Sequence, residues 1–480
     1  MKVFASLLVA TTTLAGTYTN EPSVEVSTTN LFVDCTALNA TAQVYLVRSV
    51  VIIGVGPPPV ILSNTEAGPK IAVNPINTSN VVGIWQQDLW SNGDGATRLA
   101  AGASLDAGTT WQRVDIPGLT ECSSGYFTHT YFPWVFFALD GTLNALGYVA
   151  GTLRMNKSID GGLTWGAPVT ITAPFGPSKF QRDTLTADST DSNLVYAVWD
   201  HVKPFEDKPY LSTGPTIFAR SFDGGVTWEP AREINVPGKS KQTLGNQIVV
   251  QPNGTLVNIS AVASSAFRPL QSHNAIAVQR SVDHGVTWSR LTRNLKTTPR
   301  AAFATHQLEQ SLEIIPAAAV DPMTGSLYIV WEDARFSHGA VCGIAFARST
   351  DGGLHWSKPI KINQTPTGLA IGNQHAFNPS IRVAANGTIC VTYCDYRNNS
   401  GVAAPLTDVW AVLCKPSVRT PANVAANWDN EVRLTDESFD FSKGDYESLA
   451  TAGNDFLTFW SKPQDTGGAN IFVRRLSPVP

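Results

Sequence analysis

The stretch Ser349-Thr350-Asp351-Gly352-Gly353-Leu354-His355-Trp356 is one of five copies of a single phrase: Ser, any residue, Asp, any residue, Gly, any residue, Thr or His, Trp. The other copies run Ser104 to Trp111, Ser158 to Trp165, Ser221 to Trp228 and Ser281 to Trp288. Successive copies start 54, 63, 60 and 68 residues apart, the length of one four-stranded unit with loops and too long for a helical repeat. Within the phrase the Gly supplies the positive φ of a tight hairpin, and the Asp accepts backbone N–H groups inside the turn. The closing Trp falls on the following strand, where its large apolar area can wedge between neighbouring sheets.

Working outward, the same grammar repeats between the copies: an inner strand, a turn, a second strand, a loop, and the strand that enters the phrase. Units are expected near residues 70–118, 134–173, 184–235, 246–292, 316–363 and 378–435. The sixth keeps only the wedge, in Ala426-Asn427-Trp428. A half-unit follows, with strands at Ser448 to Ala452, Phe456 to Trp460 and Ile471 to Leu476; Val60 to Ser63 is expected to supply its missing strand. The expected fold class is therefore all-β, a propeller of seven blades with six as the alternative, its last blade closed by an N-terminal strand.

Net charge is −4 and only 15% of the 480 residues are charged, which gives no basic surface for nucleic acid and no acidic tail. Lys2, the apolar run Val3 to Ala10 and the small residues Ala15 and Gly16 read as a secretory leader over residues 1–18. Residues 19–57 are then an N-terminal extension and 58–480 one propeller domain, in a secreted, extracellular protein. The apolar stretch Val44 to Val55 is too short to span a bilayer, so no membrane anchor is expected. Eight Asn-x-Ser/Thr sequons, at Asn39, Asn77, Asn156, Asn253, Asn258, Asn363, Asn386 and Asn398, agree with secretion. So do six cysteines, among which Cys394 and Cys414, on adjacent strands, are the favoured bridge. No C-x-x-C pair or H-x-x-x-H spacing points to a metal, and no cofactor is expected.

The five-fold phrase matches the Asp box, and through it the chain resembles the sialidase-like β-propellers, including secreted exo-α-sialidases, or neuraminidases. The resemblance implies that the boxes lie between the third and fourth strands of each blade, on the face opposite the active site. Asp106, Asp160, Asp223, Asp283 and Asp351 are then structural. The loops leaving second strands and those joining blades converge on the other face, which gathers a polar funnel.

An exo-sialidase needs cations for the substrate carboxylate, an acid for the leaving group and a Tyr nucleophile activated by a carboxylate. Arg182, Arg335 and Arg397 are the expected clamp, since a planar guanidinium binds a carboxylate through two bonds. Asp445-Tyr446-Glu447-Ser448-Leu449 resembles the segment carrying the sialidase nucleophile, which implies Tyr446 in that role with Glu447, Glu332 or Glu309 as its base. Two phrases, Trp331-Glu332-Asp333-Ala334-Arg335 and Tyr393-Cys394-Asp395-Tyr396-Arg397, each place an Asp two residues before an Arg, on one side of an extended chain. Asp333 and Asp395 are candidate acids with a structural ion pair as the equal alternative. Asp183 or Asp88 would serve as the leaving-group acid, because Tyr126 to Trp134 offers His129 and Tyr131 but no carboxylate.

Trp85, Trp199, Trp331 and Trp460 close second strands and read as core, whereas Trp90 reads as a loop residue open to a sugar ring. The chain departs from the sialidase pattern at the first arginine: Lys70-Ile71-Ala72-Val73 stands where Phe or Tyr, Arg, Ile, Pro is expected. Other readings are therefore a different exo-glycosidase, a polysaccharide lyase using Tyr126 or His129, and a non-catalytic propeller binding glycan or protein.

Overall fold

The computed structural model describes residues 12–13, 18–27, 59–93, 95–172, 184–201, 203–204, 212–264, 275–298, 315–400, 405–440, 447–464 and 467–479. Apart from four short 3-10 helices every regular element described is a strand, and all but one of the pairings between strands are antiparallel.

Besides a two-stranded ribbon, Lys203–Pro204 with Ser212–Thr213, five sheets stand alone. They are built on Tyr131–Phe137 to Val169–Thr170, Thr184–Ala187 to Arg232–Glu233, Lys241–Val250 to Thr292–Lys296, Ala317–Val320 to Ile360–Lys361, and Ala376–Val383 to Val432–Arg433. Each is a meander whose third and fourth strands are joined by an Asp box or, in the last, by its degraded form. A sixth sheet has ten strands. In it the meander Ile61–Asn74 to Gln112–Asp115 meets the meander Glu447–Ala452, Asp455–Pro463, Ala469–Pro478 through one parallel pair, Ala469 with Thr65. Five blades thus stand as sheets of their own, not the expected seven or six; the first and last meanders are not separate blades, because that single pairing merges them in one ten-stranded sheet.

The closing strand also differs from expectation. Val60 to Ser63 does not close the last meander; Ile61–Asn74 is one long strand whose start pairs with its own neighbour, Ile61 with Trp90 and Leu62 with Leu89. Closure comes instead from Tyr18–Asn20 and Val24–Glu25, both paired with Ala469–Pro478. Residues 19–27, expected to lie in an extension, run along the propeller sheet, and Tyr18, expected to end the leader, pairs with Pro478 and is buried against Phe456.

The wedges sit where the phrase puts them. Trp111 packs between the last and first meanders, Trp165 between the first and second, and Trp228, Trp288 and Trp356 at the following seams. Trp428 continues the series edge-on to Phe346, 5.0 Å between centroids. In each box the Ser hydroxyl donates to the Asp, the Asp accepts from the Thr or His backbone four residues on, and the Gly N–H donates to the Ser oxygen. Gly285 shows why the glycine is needed: its φ is +81°, and a Cβ there would lie 2.5 Å from the Phe218 ring of the preceding sheet.

Cys394 pairs with Val409 and Cys414 with Ile389, so the register holds the two cysteines far apart and removes the expected bridge. Cys122 is disulfide-bonded.

Candidate functional site

At the end away from the Asp boxes, second strands terminate in carboxylates. Three of them bind the backbone of another segment. Asp200 accepts from Gly245 N at 2.9 Å, Glu332 from Asn378 N at 2.9 Å, and Asp333 from Thr298 N at 3.3 Å. Gly245 and Asn378 occupy bulges of the inner strands, with φ of +62° and +55°; Gly68 and Phe132 hold the same left-handed geometry at bulges of two other inner strands. These bulges were missed in the sequence. The signal was there in part, since Gly245 and the Asn378-Pro379 pair interrupt otherwise regular strands.

The two Asp-x-Arg phrases are brought to the same rim as ion pairs. Asp333 is fully buried, accepts from Trp331 Nε1 at 2.8 Å and Arg335 N at 2.9 Å, and is paired with Arg335 Nη2 at 2.7 Å. Asp395 is equally buried and accepts from Thr365 Oγ1 and Arg397 Nε, both at 2.6 Å. With their oxygens occupied and no opening to solvent, these carboxylates anchor loops and do not present a proton to a ligand.

The two arginines differ. Arg397 spends Nε on Asp395, Nη1 on Glu431 at 2.6 Å and Nη2 on Tyr393 and Thr365, and lies 3.7 Å over Trp410. It is a locked structural residue rather than a clamp. Arg335 uses Nη2 alone, for Asp333 and the Lys296 carbonyl, which leaves Nη1 without a partner among the described residues; its side chain is 26% exposed.

Trp90 and Asp88 depart from expectation. Trp90 ends the strand Asn77–Trp90, is buried, donates to Thr128 O, and has one face covered by the His129 ring at 5.1 Å. Asp88 is buried at φ +58°, accepting from Asn64 N and Gln87 Nε2. Arg182, Asp183, Tyr446 and Glu309 lie outside the described residues, and of Glu447 only the backbone, at the start of a strand, is described. Trp85, Trp199, Trp331 and Trp460 are buried, as read from the sequence.

Two further polar groups had no motif to reveal them. Glu66 and Arg113 pair at 3.1 Å at the seam between the fused meanders, with Gln87 and Ser27 completing the cluster. Burial pushes the Glu66 carboxyl up to about 8 against the pull of Arg113. Tyr126, by contrast, is 86% exposed on the loop that leads into the second meander, near the disulfide-bonded Cys122. Among the described residues no group of three or more His, Cys, Asp or Glu could hold a metal ion.

No family model matches the chain, and no curated protein does. Solved structures similar to it include a Dyadobacter fermentans protein of unknown function, at 13% identity and a TM-score of 0.45, with 88% of this chain and 98% of that one covered. A Hadza microbial sialidase is similar at 16% identity and a TM-score of 0.44, covering 69% of this chain and 64% of that one. A Penicillium chrysogenum alpha-L-arabinanase complexed with arabinobiose is similar at 12% identity and 0.43, covering 72% and 92%.

Proposed function

We propose that the chain is a secreted glycoside hydrolase of the exo-α-sialidase-like kind, acting without a cofactor on an acidic glycan at the rim opposite the Asp boxes. The observation that carries this reading is the Arg335 guanidinium. It is fixed from behind by buried Asp333 and lies 5.9 Å from the centre of the Trp331 ring, with Nη1 left over. A cation held in place by a carboxylate loses little freedom when an anionic ligand arrives, so its remaining donors favour a carboxylate over a neutral sugar. Tyr446 is the proposed nucleophile, with Glu447 as its base and Asp183 as acid; Arg182 would complete the anion site.

The test is release of fluorophore from a sialoside, run beside uronic-acid polymers. Tyr446→Phe should abolish release, and Arg335→Ala should lower kcat/KM by about 10- to 100-fold, the worth of one hydrogen bond to a charged group. Full activity in both variants would remove the reading. Tyr126 supports a second one, a lyase, because an exposed phenol on this rim can reach a proton beside a uronate; it requires unsaturated uronate absorbance that Tyr126→Phe removes.

The disulfide at Cys122 supports secretion. Asn156, Asn258 and Asn363 are buried, so glycans belong on exposed sequons such as Asn77, Asn253, Asn386 and Asn398.

A further inference from the structure

The Asp-box rim carries a second regularity. The residue between the Asp and the Gly of each box is met by a polar side chain from the preceding sheet. Arg475 Nη2 donates to Ala107 O at 2.6 Å, Asn80 Nδ2 to Gly161 O at 3.0 Å and Arg220 Nη1 to His284 O at 2.7 Å. Lys157 Nζ lies 3.6 Å, and Arg280 Nη2 2.9 Å, from where a Cβ would stand on Gly224 and Gly352. Lys157, Arg220, Arg280 and Arg348 each immediately precede the Ser of their own box. Arg348 is therefore the next in the series, and the box it should reach is the degraded one, which has no such turn.

A cavity of about 320 Å³ occupies that place, lined by Arg348, Asp351, His355, Trp356 and Asn423 among others. This is at the small end of ligand sites, which run from about 300 to 1,000 Å³. Arg348 donates from Nη2 to Ser326 Oγ at 3.3 Å, and its Nε is buried with no partner. His355, which stands where the other four boxes have Thr, accompanies it and contacts Asp351 at 2.6 Å. Asp351 is already engaged by Ser349, the His355 backbone and the His355 ring. The spare charge in the cavity is thus cationic, beside an indole.

The geometry points to this cavity as a binding site for a carboxylate-bearing sugar, with Arg348 taking the carboxylate and Trp356 offering a face to the ring. The site is on the rim opposite the proposed active site and does not depend on the glycosidase reading. It gives the protein a second hold on an acidic glycan.

The test is titration of the full chain with glucuronate, glucose and inorganic sulfate, following the His355 imidazole resonances assigned through His355→Thr, a change to the residue found in the other boxes. Glucuronate should shift those resonances, glucose should not, and sulfate should bind more weakly than glucuronate. Arg348→Ala should weaken glucuronate at least tenfold. Should that variant fail to fold, Asn423→Trp, in an exposed loop, fills the cavity and should produce the same loss. Unchanged glucuronate binding in the folded variant, or equal response to glucose, overturns the site; sulfate binding as tight as glucuronate overturns the sugar as its ligand.

Discussion

Asp283 carries the Asp-box argument in one side chain. Thr287 donates to it from both hydroxyl and backbone, Ser281 adds a third bond, and together they hold the carboxyl down at about 2, from an ordinary 3.8. A depressed carboxylate lends stability that is present above the unfolded value and lost as pH falls through the folded one. We expect a carbonyl NMR titration of Asp283 to turn near pH 2 and to move toward 3.8 in Thr287→Val. A midpoint near 3.8 in the unaltered protein would mean that the turn is not formed. Such turns were legible because every partner lies within six residues of the Asp. The roles of Asp333 and Asp395 were not, since an Asp two residues before an Arg reads the same whether or not a ligand sits between them. Burial, and a third partner from Thr298 or Thr365, decided it.

At the scale of the element, a wedge joins two sheets that share few backbone bonds. Trp288 meets Phe218 edge-on at 5.3 Å, and the seam beneath it is apolar. Trp288→Ala should cost about 3–5 kcal/mol, as large-to-small core changes do, measured as a fall in urea midpoint with an unchanged slope. Asp395→Ala should cost a similar amount, about 3–5 kcal/mol, because it strips a buried guanidinium of its main partner. Equal stability in either variant would show that the seam does not depend on it. Strand content and the wedge positions followed from period and spacing. The long strand Ile61–Asn74 did not, because its start is largely exposed and gains its pairing only when Leu89 and Trp90 lie beside it.

On the scale of the whole molecule the ring is held where its first and last meanders fuse, and that junction encloses a carboxyl. Glu66 binds its proton more tightly folded than unfolded, with values of about 8 and 4.5. The folded state therefore holds the extra proton between those limits, and stability falls as pH rises through that window. Glu66→Gln should flatten the decline, read as urea midpoints at pH 5 and pH 8; an identical decline would place the cause elsewhere.

By itself the sequence determined the repeat, the turn that each copy folds into, and the wedge each turn delivers, because these depend on neighbours along the chain and on a regular period. The tertiary structure decided how the ring closes, which arginine keeps a donor to offer and where a missing turn leaves a cavity. Those are settled by contacts between segments far apart in the chain, where register and burial select among residues that look alike in a string.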